Sequence, residues 1–216
     1  MDVFSGAKVN LGGVIGYLHE GTINEALQAI GSQETSLCLG EGIWHIQADL
    51  DIPENVALHI TRGAVLNIYD GVTLRIFGQI EAGVYKIFDY IGTGKVIWAY
   101  RLNLQDTSPQ EWSKQVLYPE WWGAVGDDVA IDTVPLQRMF AVPSTTNKAL
   151  ECHFTSGKTY RCTAALRLGK VGSPYNSYIV RGHGARLFFV GEALKANPAV
   201  QIGSWVDSPL DHSQVY

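Results

Sequence analysis

The chain has 216 residues, enough for one sizeable domain or two small ones. Hydrophobic residues make up 46% of it and charged residues 17%, a balance that favours a packed core over global disorder. The formal net charge of −5 argues against nucleic-acid binding, because no stripe of Lys and Arg is present to neutralise phosphates. No apolar run approaches the roughly 20 residues of a membrane span, and residues 1–13 show no signal-peptide pattern.

The three cysteines are sparse and lack a CxxC pair, which resembles neither a disulfide framework nor a zinc site. Free cysteine usually behaves as a small buried hydrophobe. We therefore expect free, buried thiols at Cys38, Cys152 and Cys162. No motif in the chain predicts a metal ion or a cofactor.

The first regular element follows a lead segment of residues 1–21. Residues 22–30 (TINEALQAI) predict a short amphipathic helix, and Thr22 and Glu25 have the spacing of a capping box at its start. Short apolar segments with Gly-containing turns come next, so we place a first β-helical segment at residues 22–117.

Residues 56–79 divide into three lines of eight, VALHITRG, AVLNIYDG and VTLRIFGQ, with apolar residues at positions one, three and five. Because side chains alternate along a strand, each line predicts a short strand with one dry face and one mostly polar face, the latter including Thr73 and Arg75. Glycine closes each line, where a bend is easiest. The predicted inward residues are Val56, Leu58, Ile60, Ala64, Leu66, Ile68, Val72, Leu74 and Ile76.

Such lines are compatible with an antiparallel meander or with a coil of parallel strands. Tight hairpins favour Asn-Gly or Asp-Gly turns, and only Asp70-Gly71 fits that preference. Three lines supply one turn of a coil of roughly 24 residues, in which each turn buries its apolar face against the next. The pattern favours the coil.

The second half of the chain repeats the plan of the first. Residues 132–140 predict a second helix, with Pro135 tolerated in its first turn, and apolar strands separated by Gly-containing turns follow. We place the second segment at residues 118–216. Its end carries no recognisable cap, so the sequence predicts an N-terminal portion of a longer solenoid.

The run YPEWWGAVGDDVAIDT, residues 118–133, resembles a motif of the pectate-lyase-like superfamily, in which an aromatic residue precedes Gly-Ala-Lys-Gly-Asp-Gly-Val-Thr-Asp-Asp-Thr and a short helix. Val125, Asp128, Ala130 and Ile131 depart from the usual Lys, Gly, Thr and Asp. The matching residues are Trp122, Gly123, Ala124, Gly126, Asp127, Val129, Asp132, Thr133 and Gln137.

This resemblance implies an all-β fold, a right-handed parallel β-helix with short capping helices. It also implies a bacterial or phage surface protein, of the tailspike kind, that binds or cuts polysaccharide as a lyase or glycosidase and is commonly a trimer. The expected location is extracellular or on a virion or cell surface. The motif itself is architectural, so the catalytic residues stay unassigned.

Trp121 and Trp122 are the candidate substrate-binding residues, because an exposed indole can stack on a sugar ring. Adjacent residues of a strand point in opposite directions, so we expect one ring in the core and the other facing outward. The outward ring has an alternative use, packing on a partner subunit.

Two acidic groups are weighed as further sites. Asp49 and Asp51 flank Leu50 at a strand separation of roughly 6.5 Å, which fits an inverting glycosidase, but the inward Leu50 makes both ordinary solvent-facing residues. Asp127 and Asp132 belong to an acidic loop that could hold calcium, with helix N-capping by Asp132 or the adjacent threonine as the simpler interpretation.

Two functions stay open. The first is polysaccharide binding or degradation with a catalytic centre outside the chain, and the second is a non-catalytic structural or adhesive stalk. Paired carboxylates or a carboxylate–Arg/Lys cluster on neighbouring turns would favour the first, and an outward apolar strip the second.

Overall fold

The computed structural model describes residues 15–18, 21–98, 115–142, 150–168, 178–191 and 199–202. The chain divides into two compact units, Met1–Asp106 and Thr107–Tyr216. Most of the predicted lead segment 1–21 and Trp112 lie outside the described residues. The described part is mostly parallel β-strands with few helices, which confirms the all-β prediction.

The first unit contains one helix and ten strands among its described residues. The strands pair only in parallel in three sheets, with the orders β1-β2-β5-β8, β3-β6-β9 and β4-β7-β10. The elements are β1 (Ile15–Leu18), α1 (Ile23–Ile30), β2 (Thr35–Leu39), β3 (Gly42–Ile46), β4 (Leu50–Ile52), β5 (Val56–Ile60), β6 (Ala64–Ile68), β7 (Thr73–Ile76), β8 (Ile80–Ala82), β9 (Phe88–Tyr90) and β10 (Lys95–Trp98).

From β2 to β10, consecutive strands enter the three sheets in rotation, so each strand pairs with the strand three places later. Leu58 of β5, for example, lies between Leu37 of β2 and Ile80 of β8. Parallel pairing throughout residues 56–79 excludes the antiparallel meander. Side-chain contacts between neighbouring turns of this unit join residues 22 to 26 apart, close to the predicted length of one turn.

The inward residues predicted from the lines of eight are all buried, and eight of the nine are completely inaccessible. Complete burial of a Leu or Ile side chain stabilises a fold by about 1.5–3 kcal/mol, so these positions hold the unit together. Thr73 is an exception to the predicted polar face, since it is buried as well. The Thr73 backbone N–H donates to Asp49 on the preceding turn, and Lys95 is its neighbour in register on the following turn. Residues of both neighbouring turns therefore cover Thr73.

Two glycines explain how the chain turns between strands. Gly71 has φ +73°, a left-handed conformation that glycine adopts without strain. Gly78 lies so close to the preceding turn that a Cβ atom there would be 2.1 Å from the carbonyl oxygen of Val56. A larger residue at position 78 would push neighbouring turns apart.

The second unit follows the same order of elements. Its strands form three parallel sheets, β11-β13-β16, β12-β14-β17 and β15-β18, which the strands from β13 onward again enter in rotation. The elements are β11 (Val116–Leu117), a 3-10 helix (Pro119–Trp122), β12 (Asp127–Ile131), α2 (Thr133–Phe140), β13 (Leu150–His153), β14 (Thr159–Cys162), β15 (Leu166–Leu168), β16 (Tyr178–Arg181), β17 (Arg186–Phe189) and β18 (Val200–Ile202).

The predicted capping box of α1 is present: the Glu25 N–H donates to Thr22 Oγ1 at 3.2 Å, and the Thr22 N–H donates to the Glu25 carboxylate at 2.9 Å. The three cysteines are free and buried, as predicted. No helix in the described part of the chain has the length and apolar character needed to cross a membrane.

Candidate functional site

A buried glutamate lies at the centre of the site in the second unit. Glu151 belongs to the middle strand, β13, between β11 and β16, and is only 4% exposed. Its neighbours in register are Val116 and Ile179, which cover it on both sides. A charged group in such a position requires ionic and hydrogen-bonding partners, because burial removes its hydration.

Arg181 of β16 is the first partner. Its Nε donates to Glu151 Oε2 at 3.0 Å, and a terminal nitrogen lies 3.4 Å from Oε1. The hydrogen bonds to the carboxylate raise the pKa of Arg181 above its ordinary value. The guanidinium is therefore held in one orientation while about half of the side chain, 47%, stays accessible to solvent.

His153, two residues along β13, is the second partner. Its Nε2 is 2.8 Å from Glu151 Oε2, so the carboxylate accepts the Nε2 proton and Nδ1 points away from it. His183 lies on the next turn of the chain, with its Nε2 3.4 Å from His153 Nδ1 and the two ring centroids 5.0 Å apart. The ring of Tyr118 packs edge-on against His153, at 6.1 Å between centroids.

The exposed end of this cluster is in a strained turn. His183 has φ +46°, a conformation that non-glycine residues adopt rarely and at a cost of order 1–3 kcal/mol. The Ala185 N–H donates to the Gly182 carbonyl at 2.8 Å and closes the turn around it. The turn thus fixes an exposed imidazole that contacts His153.

We refer to Tyr118, Glu151, His153, Arg181 and His183 together as the Glu151 cluster. It is a chain of proton-carrying groups that leads from a buried carboxylate to an exposed imidazole. Imidazole changes charge near neutral pH and serves as a general acid or base when a carboxylate orients it. The oriented guanidinium presents donors in the geometry that carboxylate and hydroxyl oxygens accept.

The two aspartates weighed as a glycosidase pair form a different arrangement in the first unit. Arg75 bonds both, with 2.9 Å to Asp49 Oδ2 and 3.1 Å to Asp51 Oδ1. The Thr73 N–H and then Arg75 hold the pKa of Asp49 below its usual range. Both aspartates are exposed, as expected, and the lowered pKa of Asp49 does not suit that residue to act as a general acid.

The structure contradicts the expected orientation of Trp121 and Trp122. Both lie in a 3-10 helix rather than a strand, and both are only 2% exposed. The alternation that would turn one ring outward therefore does not apply. Neither indole offers an open face to a sugar or to a partner subunit in this conformation.

The acidic loop does not form the predicted N-cap. Asp132 occupies the cap position of α2, but its buried carboxylate accepts the N–H groups of Val125 at 2.7 Å and Gly126 at 3.2 Å instead. The Asp127 carboxylate accepts hydrogen bonds from the backbone N–H groups of Val129 and Ala130. Among the described residues, no group of three or more His, Cys, Asp or Glu side chains is placed to hold a metal ion.

Two further residues of the motif have architectural contacts that the sequence did not predict. Glu120, which is buried, accepts the hydroxyl of Tyr160 at 2.6 Å and pairs with Lys158 at 3.0 Å. The pKa of Tyr160 is raised above its ordinary value, mainly because the hydroxyl is buried. The Gln137 side chain bonds the backbone N–H and carbonyl of Arg167 at 2.9 and 3.0 Å, which ties α2 to β15.

Sequence reasoning assigned no functional role to Glu151, His153, Arg181 or His183. The contacts of Glu151 with Arg181 and of His153 with His183 each join residues 30 apart, a longer separation than between neighbouring turns of the first unit. A search for oppositely charged or identical polar residues at that spacing would have paired Glu151 with Arg181 and His153 with His183.

A scan against protein-family models, a search of curated proteins and a search of solved structures each find no match to this chain.

Proposed function

We propose that the chain is a right-handed parallel β-helix that binds polysaccharide through the Glu151 cluster. The rotation of strands through three parallel sheets supports the coil, and crossovers between parallel strands of one sheet are right-handed in about 98% of cases. The resemblance of residues 118–133 to the pectate-lyase-like motif supports the same fold and the connection to polysaccharide. On this proposal the protein acts outside the cell or on a virion or cell surface.

One observation carries the functional proposal: the buried Glu151 carboxylate holds the exposed Arg181 guanidinium directly, and it is connected through His153 to the exposed imidazole of His183. A carboxylate–Arg pair on neighbouring turns is the feature expected of a polysaccharide-directed protein, and an inert stalk does not need it. Arg181 donates hydrogen bonds that sugar hydroxyl and carboxylate oxygens accept, and the ring nitrogen of His183 that does not face His153 accepts a hydrogen bond from a sugar hydroxyl. Since neighbouring turns are stacked, a bound chain would follow them across the sheet.

The test is binding of the protein to a panel of bacterial capsular and plant cell-wall polysaccharides, measured by affinity electrophoresis. His183→Ala removes an exposed side chain and should weaken binding about fivefold, which corresponds to the loss of one ordinary hydrogen bond of about 1 kcal/mol. His45→Ala is the control, because it removes an exposed histidine from a strand of the other unit. Arg181→Lys keeps the charge but loses the planar fork, and should also weaken binding.

Two results would contradict this proposal: no polysaccharide is retained, or His183→Ala and His45→Ala bind equally well. We expect no depolymerisation by this chain, followed through new reducing ends and the ultraviolet absorbance of unsaturated uronides. Cleavage that Glu151→Gln abolishes would instead assign a catalytic role to the Glu151 cluster.

The second candidate is a non-catalytic stalk that forms a trimer, and a different observation favours it. Val129, Ile131 and Val134 of the second unit are exposed apolar side chains, with Val129 77% accessible. An outward apolar strip is what a subunit interface would cover. The mass of the protein in solution tests for the trimer, and a trimer that Val129→Ser dissociates and that retains no polysaccharide would support the stalk.

A further inference from the structure

The first unit contains a cleft whose lining includes no residue of the Glu151 cluster. Its volume is about 330 Å³, and it is lined by Asp51, Pro53, Glu54, Asn55 and Phe77. This volume is at the lower end of the range of small-molecule sites, about 300–1,000 Å³. The cleft lies at the turn between β4 and β5, beside the residue that follows β7.

Backbone contacts hold the walls of this cleft in place. The Val56 N–H donates to the Pro53 carbonyl at 3.1 Å and closes the turn, and the Phe77 N–H donates to the Ile52 carbonyl at 2.8 Å. Because β4 and β7 pair in register up to Ile52 and Ile76, Pro53 and Phe77 are neighbours on successive turns. The close approach at Gly78 fixes the spacing between these turns. One wall is therefore a rigid apolar surface of a proline and an aromatic ring.

The polar groups of the cleft accept hydrogen bonds. Both hydrogens of the Asn55 amide are used, since Nδ2 donates to the carbonyls of Gly31 at 3.1 Å and Gln33 at 2.6 Å, which leaves the side-chain oxygen as an acceptor. Asp51 shares Arg75 with Asp49. Glu54 is exposed, and no described residue forms an ion pair with it.

This combination selects the chemistry of a ligand. An apolar and aromatic wall packs against the C–H face of a pyranose ring, and the cleft's own lining carries carboxylates but no cationic side chain. A ligand that fits both features has a carbon ring, several hydroxyl donors and a positive charge. An anionic sugar would be repelled by Glu54, whereas the charge of Asp51 is paired with Arg75.

We propose that the cleft binds a cationic amino sugar, with its ring against Phe77 and Pro53 and its ammonium group paired with Glu54. The pairing is a charge-assisted hydrogen bond, which is about twice as strong as a neutral one. The proposal does not rest on polysaccharide binding by the Glu151 cluster, because all the lining residues belong to the first unit.

The experiment titrates the full chain with di- and triglucosamine by calorimetry at pH 6, where the amines are protonated. The fully N-acetylated oligomers are the matched neutral ligands. We expect the amines to bind at least about tenfold more tightly than the acetylated sugars, and Glu54→Gln to remove most of that difference by loss of one charge-assisted hydrogen bond. Glu41→Gln, which alters another exposed glutamate of the same unit, should leave binding unchanged.

Phe77→Leu tests the ring separately, and circular dichroism shows whether each variant keeps its fold. Loss of affinity for both ligand types in a folded Phe77→Leu protein supports the apolar wall. Equal affinity for amine and acetylated sugars, equal behaviour of Glu54→Gln and Glu41→Gln, or no binding would each overturn the proposal. His183→Ala should bind the amines normally, so failure here and failure of the polysaccharide proposal are distinguishable.

Discussion

Replacement of Glu151 by glutamine tests whether the buried carboxylate organises the second unit. Glutamine keeps the shape of the side chain but removes its charge, and its amide cannot accept from both His153 and Arg181 as strongly. Hydrogen bonds to charged groups each contribute about 1.5–3 kcal/mol. The substitution weakens two such hydrogen bonds, the one with His153 at 2.8 Å and the one with Arg181 at 3.0 Å. Because Arg181 is half exposed, its share belongs at the low end of the range. We expect Glu151→Gln to lower the free energy of unfolding by about 2–3 kcal/mol.

Urea denaturation of the variant, followed by circular dichroism with linear extrapolation to zero denaturant, measures this loss. The control is Glu81→Gln in the first unit, where an exposed glutamate lies 3.4 Å from His59. An exposed pair of this kind contributes at most about 1 kcal/mol. If both substitutions destabilise the protein equally, or Glu151→Gln costs less than about 1 kcal/mol, the Glu151 cluster does not depend on its carboxylate.

The remaining predictions concern the interior, the thiols and the response to acid. Because Leu66 is completely buried, Leu66→Ala should lower the free energy of unfolding, measured by urea denaturation, by about 2–5 kcal/mol. Ile43 is 65% exposed, so Ile43→Ala should lower it by less than about 1 kcal/mol. Equal losses would contradict the assignment of the inward face. Burial raises the pKa of Cys152 to about 12, so a thiol reagent at pH 8 should label it only after denaturation. Labelling of the native protein at the rate of a free thiol would refute this. The pKa of Asp70 is lowered mainly by the hydrogen bond from the Thr93 backbone N–H and next by the one from the Thr93 hydroxyl. Asp70 therefore stabilises the fold at pH values above the ordinary carboxyl pKa of about 3.9. This stabilisation is lost as the pH falls through the lowered pKa. The stability difference between the wild-type protein and Asp70→Asn should therefore be largest near neutral pH and vanish in strong acid, and a difference that grows in acid would refute the assignment.

The sequence alone determined the strand pattern of the first unit. Apolar residues at every second position all lie on the same face of a strand, so that face must be buried. Leu58, Leu66 and Leu74 could therefore be assigned to the interior without a structure. The capping box of Thr22 and Glu25 was equally predictable, because all its contacts lie within one helical turn. Local spacing decides both features.

Only the tertiary structure decided which polar residues meet. Glu151 and Arg181 are 30 residues apart, and their contact follows from the register of β13 with β16, which in turn depends on the length of the chain between them. The indoles of Trp121 and Trp122 were misjudged for a related reason: Pro119 begins a 3-10 helix whose packing buries both rings, whereas strand alternation would have separated them. Alternation along a strand is a local property, while pairing across turns depends on the whole path of the chain.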